Sequence, residues 1–352
     1  MKPRRAAAAL GIAAVMGGSV MLTSAGASAA APHATAAATT CNGLQQLLGQ
    51  CKVTPTPTPT PAPTTSSPTP TASPAGDCGG EQYTKPDGTP YVCSFDDEFN
   101  GTALDRTQWA PQLTSNSNFT TGASPYKVCY VDSPDTVSES GGYLHLSVVK
   151  TAAKFTCAAP TTAGLALHNF STQYEGGEVT TYYGFHQTYG RFEVRAKLAQ
   201  SSVPGLQETF WLWPTDDTKY GAFPGSGEID FAEFYSQYDN QVIPYIHYDY
   251  SASTVNTTTN TNIVTNDYTC IIDPTQFNDY AVDWQPGRIT LTYNGNTCLV
   301  DNYQPSNTTS PAPFDQPFFI ALTQALGVGG NAPTASTPLP ATTLVDYVRV
   351  WS

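Results

Sequence analysis

The sequence predicts an all-β fold: two packed antiparallel sheets forming a jelly-roll sandwich. Three observations point there. Short runs in which polar and apolar residues alternate recur at Tyr143–Val148, Gly190–Leu198, Ile289–Tyr293 and Leu344–Trp351, as strands require when successive side chains point to opposite faces. Long helical periodicity is absent. Turn signals punctuate the runs at Asp87-Gly88, Pro286-Gly287 and Asn294-Gly295, the last being a two-residue hairpin signal directly after Tyr293. The composition agrees, with 20 Tyr against 15 Lys and Arg together in 352 residues.

Four segments follow one another along the chain. Residues 1–29 carry Lys2, Arg4 and Arg5, an Ala-rich apolar run to about Thr23, and the small-residue site Ala27-Ser28-Ala29. That pattern predicts a secretory signal peptide and a secreted, extracellular protein. Residues 30–52 contain Cys41 and Cys51 and are too short for a core of their own. Residues 53–76 repeat Pro and Thr, which cannot bury a core and stays extended as a linker. Residues 77–352 remain as one domain, large for a single core but usual for a β-sandwich. Eight cysteines in an exported chain imply disulfides. Local sequence suggests Cys41–Cys51, Cys78–Cys93, Cys129–Cys157 and Cys270–Cys298.

One stretch concentrates chemistry. Gly227-Glu228-Ile229-Asp230-Phe231-Ala232-Glu233-Phe234 sets three carboxylates within six residues. On a strand, Glu228 and Asp230 share one face while Ile229 and Phe231 share the other. Glu233 falls five residues after Glu228, the wrong parity, and rejoins the acidic face only if a β-bulge absorbs one residue. Acids crowded on one face repel each other, so the pattern makes sense where they act on a ligand lying across the sheet. A solvent-facing strand is the competing reading, but plain alternation rarely puts an acid at every polar position. Two carboxylates flanking a bond suffice for glycoside hydrolysis, roughly 5–5.5 Å apart for retention and roughly 6.5–9.5 Å for inversion. With a bulge, the two Glu α-carbons stand about 13 Å apart; leaning side chains reach the shorter distance, and the longer one stays open. Asp230 between them raises the pKa of a neighbour, which helps keep one Glu protonated while the other is ionised.

At these residues the sequence resembles glycoside hydrolase family 16, in its laminarinase-like branch, whose bulged active strand reads E-x-D-x-x-E. The resemblance extends over residues 93–352. It includes Phe95-Asp96-Asp97-Glu98-Phe99-Asn100-Gly101 with Trp109, Tyr189-Gly190-Arg191-Phe192-Glu193, Phe210-Trp211-Leu212-Trp213-Pro214, Tyr280-Ala281-Val282-Asp283-Trp284, Pro317-Phe318-Phe319-Ile320, and the closing Leu344–Val350. It implies a jelly roll with the acidic strand on a concave substrate cleft, Glu228 as nucleophile, Glu233 as acid/base and Asp230 as assisting acid. The implied activity is that of a secreted retaining endo-β-glucanase acting on β-1,3-glucan, with no cofactor for catalysis. Hydrolysis or transfer on agarose or mixed-linkage glucan is the alternative. A non-catalytic glucan-binding sandwich is a third, against which the intact acid set speaks. Three departures touch the pattern: Gln207-Glu208 stand where the family often has Trp-Pro, Gln324 where it often has Asn, and a common Arg has no clear equivalent near Tyr182 and Tyr183.

Other residues complete the expectation. Trp211 and Trp213 share a strand face opposite Phe210 and Leu212; an indole stacks on a pyranose, so the Trp face is expected in the cleft. Trp284 is expected in the core. His247 resembles a family His that lines the cleft beside the acids. The resemblance also implies a structural calcium ion held by Glu98, the backbone of Gly142 and Asp346, hard oxygen ligands that suit it; simple hydrogen bonds at strand ends compete with that reading. A net charge of −13 argues against nucleic acid and anionic membranes as partners, and is indifferent to a neutral polysaccharide. A monomer is expected.

Overall fold

The structure, a computed structural model, describes residues 77–159, 169–238, 240–249 and 265–352. The leader, the Cys41–Cys51 pair and the Pro/Thr linker lie outside the described residues. Two sheets face each other. The larger runs β14 (Asn296–Asp301), β13 (Arg288–Tyr293), β12 (Asn278–Gln285), β8 (Gly190–Lys197), β16 (Ala341–Trp351), β5 (Tyr143–Cys157), β6 (Phe170–Gly176) and β3 (Val128–Tyr130). Two more strands join it, β1 (Cys93–Asp97) on β16 and β4 (Val137–Ser140) on β5. The smaller runs β11 (Val242–His247), β10 (Glu228–Tyr235), β9 (Leu206–Pro214), β15 (Phe318–Leu326), β7 (Glu178–Thr180) and β2 (Ala110–Pro111). Every pair is antiparallel except β3 with β6.

Alternation decides what each strand buries. From β9 and β10, Phe210, Leu212, Ile229, Phe231 and Phe234 enter one apolar core, meeting Phe192, Val194, Tyr280, Val282, Trp284 and Val348 from the other sheet. Trp284 is therefore core, as its sequence suggests. Trp211, Trp213, Phe319 and Ala321 form a separate cluster on the opposite face of the small sheet. The β13–β14 hairpin turns at Asn294-Gly295, both with positive φ, the two-residue geometry that such a pair favours. Disulfides join Cys78 to Cys93, Cys129 to Cys157 and Cys270 to Cys298. No helix among the described residues is long and apolar enough to cross a membrane.

Candidate active site

Gly227 opens the acidic strand with φ +86°, and a Cβ there would lie 2.8 Å from the Phe314 ring. Glycine alone allows that turn and that approach. Beyond it, β10 pairs with β9 as Ile229↔Leu212 and Asp230↔Trp211, then as Ala232↔Phe210 and Glu233↔Thr209. One residue is skipped, and the pairing with β11 slips at the same place. This is the bulge that the parity of Glu233 demands. Phe231 and Ala232, consecutive in sequence, both face the core. Glu233 and Tyr235 thereby join Glu228 and Asp230 on the other face, in register with Thr209, Trp211 and Trp213.

Two of the acids lie deep, while Glu233, Tyr235 and His247 are only partly buried. Glu228 and Asp230 are buried. Burial, followed by the charges of Asp230 and Glu233, pushes the Glu228 carboxyl well above the ordinary range. Burial does the same to Asp230. Glu233 is pushed up to about 8, chiefly by burial and then by Asp230, while the Tyr235 hydroxyl and His247 pull the other way. Tyr235 donates its O–H to Glu233 Oε1 at 2.7 Å. His247, paired opposite Glu228, has Nε2 at 3.2 Å from Asp230 Oδ2. Burial lowers its pKa to about 4. At neutral pH the imidazole facing Asp230 is therefore uncharged. His247 also stacks on Tyr245, with ring centroids 4.0 Å apart.

The aromatic floor differs from an open sugar platform. Trp211 and Trp213 lie on the acidic face, yet are only 5% and 6% exposed. Phe119 stacks over Trp211 at 6.0 Å, and Phe223 over Trp213 at 5.9 Å. Trp211 also donates its indole N–H to Thr323 Oγ1 at 2.9 Å. Two loop phenyl rings thus pack against the faces of both indoles. Phe223 reaches His247 as well, at 5.5 Å.

Two departures from the family pattern face inward. Glu208 and Gln324 point between the sheets, where Gln324 Nε2 donates to Glu208 Oε1 at 2.8 Å and Thr343 Oγ1 donates to Gln324 Oε1 at 2.8 Å. They form a polar strut from β9 through β15 to β16 and do not line the cleft. Gln207 has the cleft-side parity. A fourth buried acid, Glu178, occupies that face at the far side of the sheet, in the row Glu233–Thr209–Thr323–Glu178. Burial pushes its carboxyl well above the usual range.

Nothing among the described residues supports the expected calcium set. Glu98 accepts two N–H groups of Arg349, at 2.6 and 2.9 Å, and Asp346 accepts the Nε–H of Arg195 at 3.0 Å. Each carboxylate is already neutralised by a different guanidinium, and the close groups of potential ligands among the described residues include neither. Glu98, Gly142 and Asp346 do not fit a cation site.

Sequence reasoning missed Tyr235, Phe119, Phe223 and Glu178. Tyr235 was readable, because it follows Glu233 by two residues and a strand repeats with that period. The two phenylalanines come from loops with no local signal.

Residues 133–340, more than half of the chain, match Glycosyl hydrolases family 16. A glucan endo-1,3-beta-glucosidase A1 of Niallia circulans is 31% identical over 272 residues, covering 73% of this chain and 37% of that protein. A keratan-sulfate endo-1,4-beta-galactosidase of Sphingobacterium multivorum is 32% identical over 178 residues, 51% of this chain and 40% of that one. The chain thus spans about two fifths of the length of these relatives. A solved non-specific endo-beta-1,3(4)-glucanase, holding a 1,3-beta-D-cellobiosyl-glucose at its active site, superposes with TM-score 0.58. It is 25% identical, covering 74% of this chain and 95% of that one.

Proposed function

Since the chain belongs to glycosyl hydrolases family 16, we propose that it is a secreted endo-β-glucanase that cleaves β-1,3 linkages with retention, Glu228 acting as nucleophile and Glu233 as acid/base. The observation that carries this reading is the bulge, which sets Glu233 on the same cleft face as Glu228 and Asp230.

Glu233, held protonated at neutral pH, gives its proton to the departing glycosidic oxygen as the bond to the anomeric carbon breaks. Glu228 attacks that carbon and forms a glycosyl-enzyme. Glu233, now ionised, takes a proton from water, and the resulting hydroxide equivalent displaces Glu228. Asp230, whose carboxyl burial holds well above the ordinary range, lies beside Glu228 on the same strand face, with one oxygen 3.2 Å from His247 Nε2. The Tyr235 hydroxyl orients Glu233 and stabilises its ionised form, which the second step needs. The protein is expected to meet its polymer outside the cell, as its N-terminal 29 residues suggest.

The names of the relatives favour a β-1,3-glucan over other polymers, while the galactosidase relative keeps keratan sulfate as second reading. Incubation with laminarin, lichenan, agarose and keratan sulfate, with sizing of the fragments and proton NMR of the first-formed anomer, tests both. Oligosaccharides released from laminarin as the β-anomer support the proposal. First release of the α-anomer defeats retention, and cleavage of keratan sulfate alone moves the substrate.

A further inference from the structure

A bulge that turns Glu233 into the cleft disturbs the ladder, because the inserted residue loses its strand partners. Here that residue is Phe231, which pairs with neither β9 nor β11. Its carbonyl points into a dry core, where an unpaired backbone acceptor is unfavourable. The opposite sheet supplies the partner. Tyr293, the last residue of β13, donates its hydroxyl to the Phe231 carbonyl oxygen at 2.9 Å, and both residues are buried. The Tyr293 ring is held edge-on against Tyr280, centroids 5.5 Å apart, and the residue precedes the tight Asn294-Gly295 turn, which limits where it can move.

We infer that Tyr293 is a positioning residue for catalysis: reaching across the sandwich, its hydroxyl holds the Phe231 bulge and thereby keeps Glu233 turned toward the substrate. It touches neither substrate nor acid. Without that hydrogen bond, β10 gains by pairing Phe231 regularly with its neighbours, and regular pairing rotates Glu233 toward the core. Tyr235 fixes the carboxyl of Glu233, whereas Tyr293 fixes the backbone that carries it.

The inference rests on the reading of Glu233 as acid/base, so Tyr293→Phe is assayed beside Glu233→Gln and beside Tyr280→Phe, a neighbouring ring that makes no hydrogen bond to β10. Two substrates are used, laminarin and a dinitrophenyl laminarioligosaccharide whose leaving group needs no acid, the second with and without sodium azide. Azide attacks the anomeric carbon of the glycosyl-enzyme and expels the Glu228 carboxylate, giving a glycosyl azide without a general base. Tyr293→Phe is expected to lose roughly 10²-fold in kcat on laminarin, with KM little changed and the melting temperature lowered by only a few degrees, and to form glycosyl azide as Glu233→Gln does. Tyr280→Phe should form none.

Retention of wild-type kcat by Tyr293→Phe overturns the inference. So does a loss of activity that azide does not relieve, since that marks general disorder and not a displaced acid. Full activity of Glu233→Gln overturns the underlying reading instead. Should Tyr293→Phe fail to fold, the wild-type protein still decides. Phe231-Ala232 is the only Phe-Ala pair in the sequence, so labelling Phe carbonyl carbon and Ala nitrogen isolates one NMR signal. A carbonyl shift of the hydrogen-bonded kind supports the inference, and an unbonded shift rejects it.

Discussion

Two sets of buried carboxyls lie back to back across the small sheet. On the cleft face, Glu228 and Asp230 crowd around one imidazole, with Glu233 on the same face beyond the bulge. On the core face, Glu208 sits nearly alone, bonded to Gln324 and through it to Thr343. Burial pushes all four above the ordinary carboxyl range. Their chemistry differs because of company and access. Glu208 has one neutral donor and no acid facing it, so burial alone pushes its carboxyl up and it serves as part of a strut. In the cleft, each ionisation changes the field felt by two other acids, and a proton can move among them when a sugar arrives. Desolvation therefore raises a carboxyl anywhere, while coupling to neighbours makes it a working acid.

Isosteric amides break the comparison most sharply. Glu228→Gln and Glu233→Gln are each expected to lower kcat on laminarin by about 10²–10⁴-fold without lowering the melting temperature, and Asp230→Asn by less than either. Glu208→Gln, which still offers an oxygen to Gln324, should keep its activity. Equal losses at Glu208 and Glu233 would erase the distinction.

Removing the strut's acceptor reads the other side of the sheet. Glu208→Leu leaves the Gln324 amide without its carboxyl partner, a loss of about 1–3 kcal/mol in a buried site, seen in denaturant midpoints with the fragment pattern on laminarin unchanged.

The tuning of Glu233 is a smaller effect. Activity needs Glu233 protonated, so it should fall as pH rises through about 8. The groups acting on that carboxyl are Asp230 and Tyr235 on β10 and His247 on β11; Tyr268 and Tyr293 stand near enough to feel its charge. Tyr235 donates to Glu233 and favours its ionised form, so Tyr235→Phe should move the alkaline limb of the kcat/KM profile upward by about one pH unit. A limb that stays in place would show that the hydroxyl only packs.

Smallest is the linkage to stability. Glu233 has a folded pKa of about 8 against an ordinary 4.5. Between those values the native protein binds more protons than the unfolded chain, so raising pH across that window destabilises the fold. Glu233→Gln, which cannot ionise, should raise the melting temperature by more at pH 8 than at pH 5. An equal change at both would remove Glu233 from the pH dependence.

Much of this was legible in one dimension. The strands at Tyr143, Gly190, Ile289 and Leu344 follow from alternation, and so does the hairpin at Asn294-Gly295. Three local cysteine pairs are bonded as neighbouring sequence suggests. The parity of Glu233 alone requires a bulge. What one dimension did not show are the partners that come from afar. Glu98 and Asp346 read as oxygen ligands, and Arg349 and Arg195 on neighbouring strands neutralise them. Trp211 and Trp213 stand on the acidic face as alternation predicts, and Phe119 and Phe223 arrive from loops to pack on them.

The chain by itself therefore determined periodicities: which face each strand buries, where it turns, and that one strand must skip a residue to align its acids. Such properties follow from side-chain alternation and turn stereochemistry, which act over a few residues. Only the tertiary structure decided which partners fill the remaining valences. The Tyr293 hydroxyl on the Phe231 carbonyl, the guanidinium on Glu98 and the amide on Glu208 all join residues far apart in sequence, because hydrogen bonding and charge neutralisation depend on distance in space once water has been excluded.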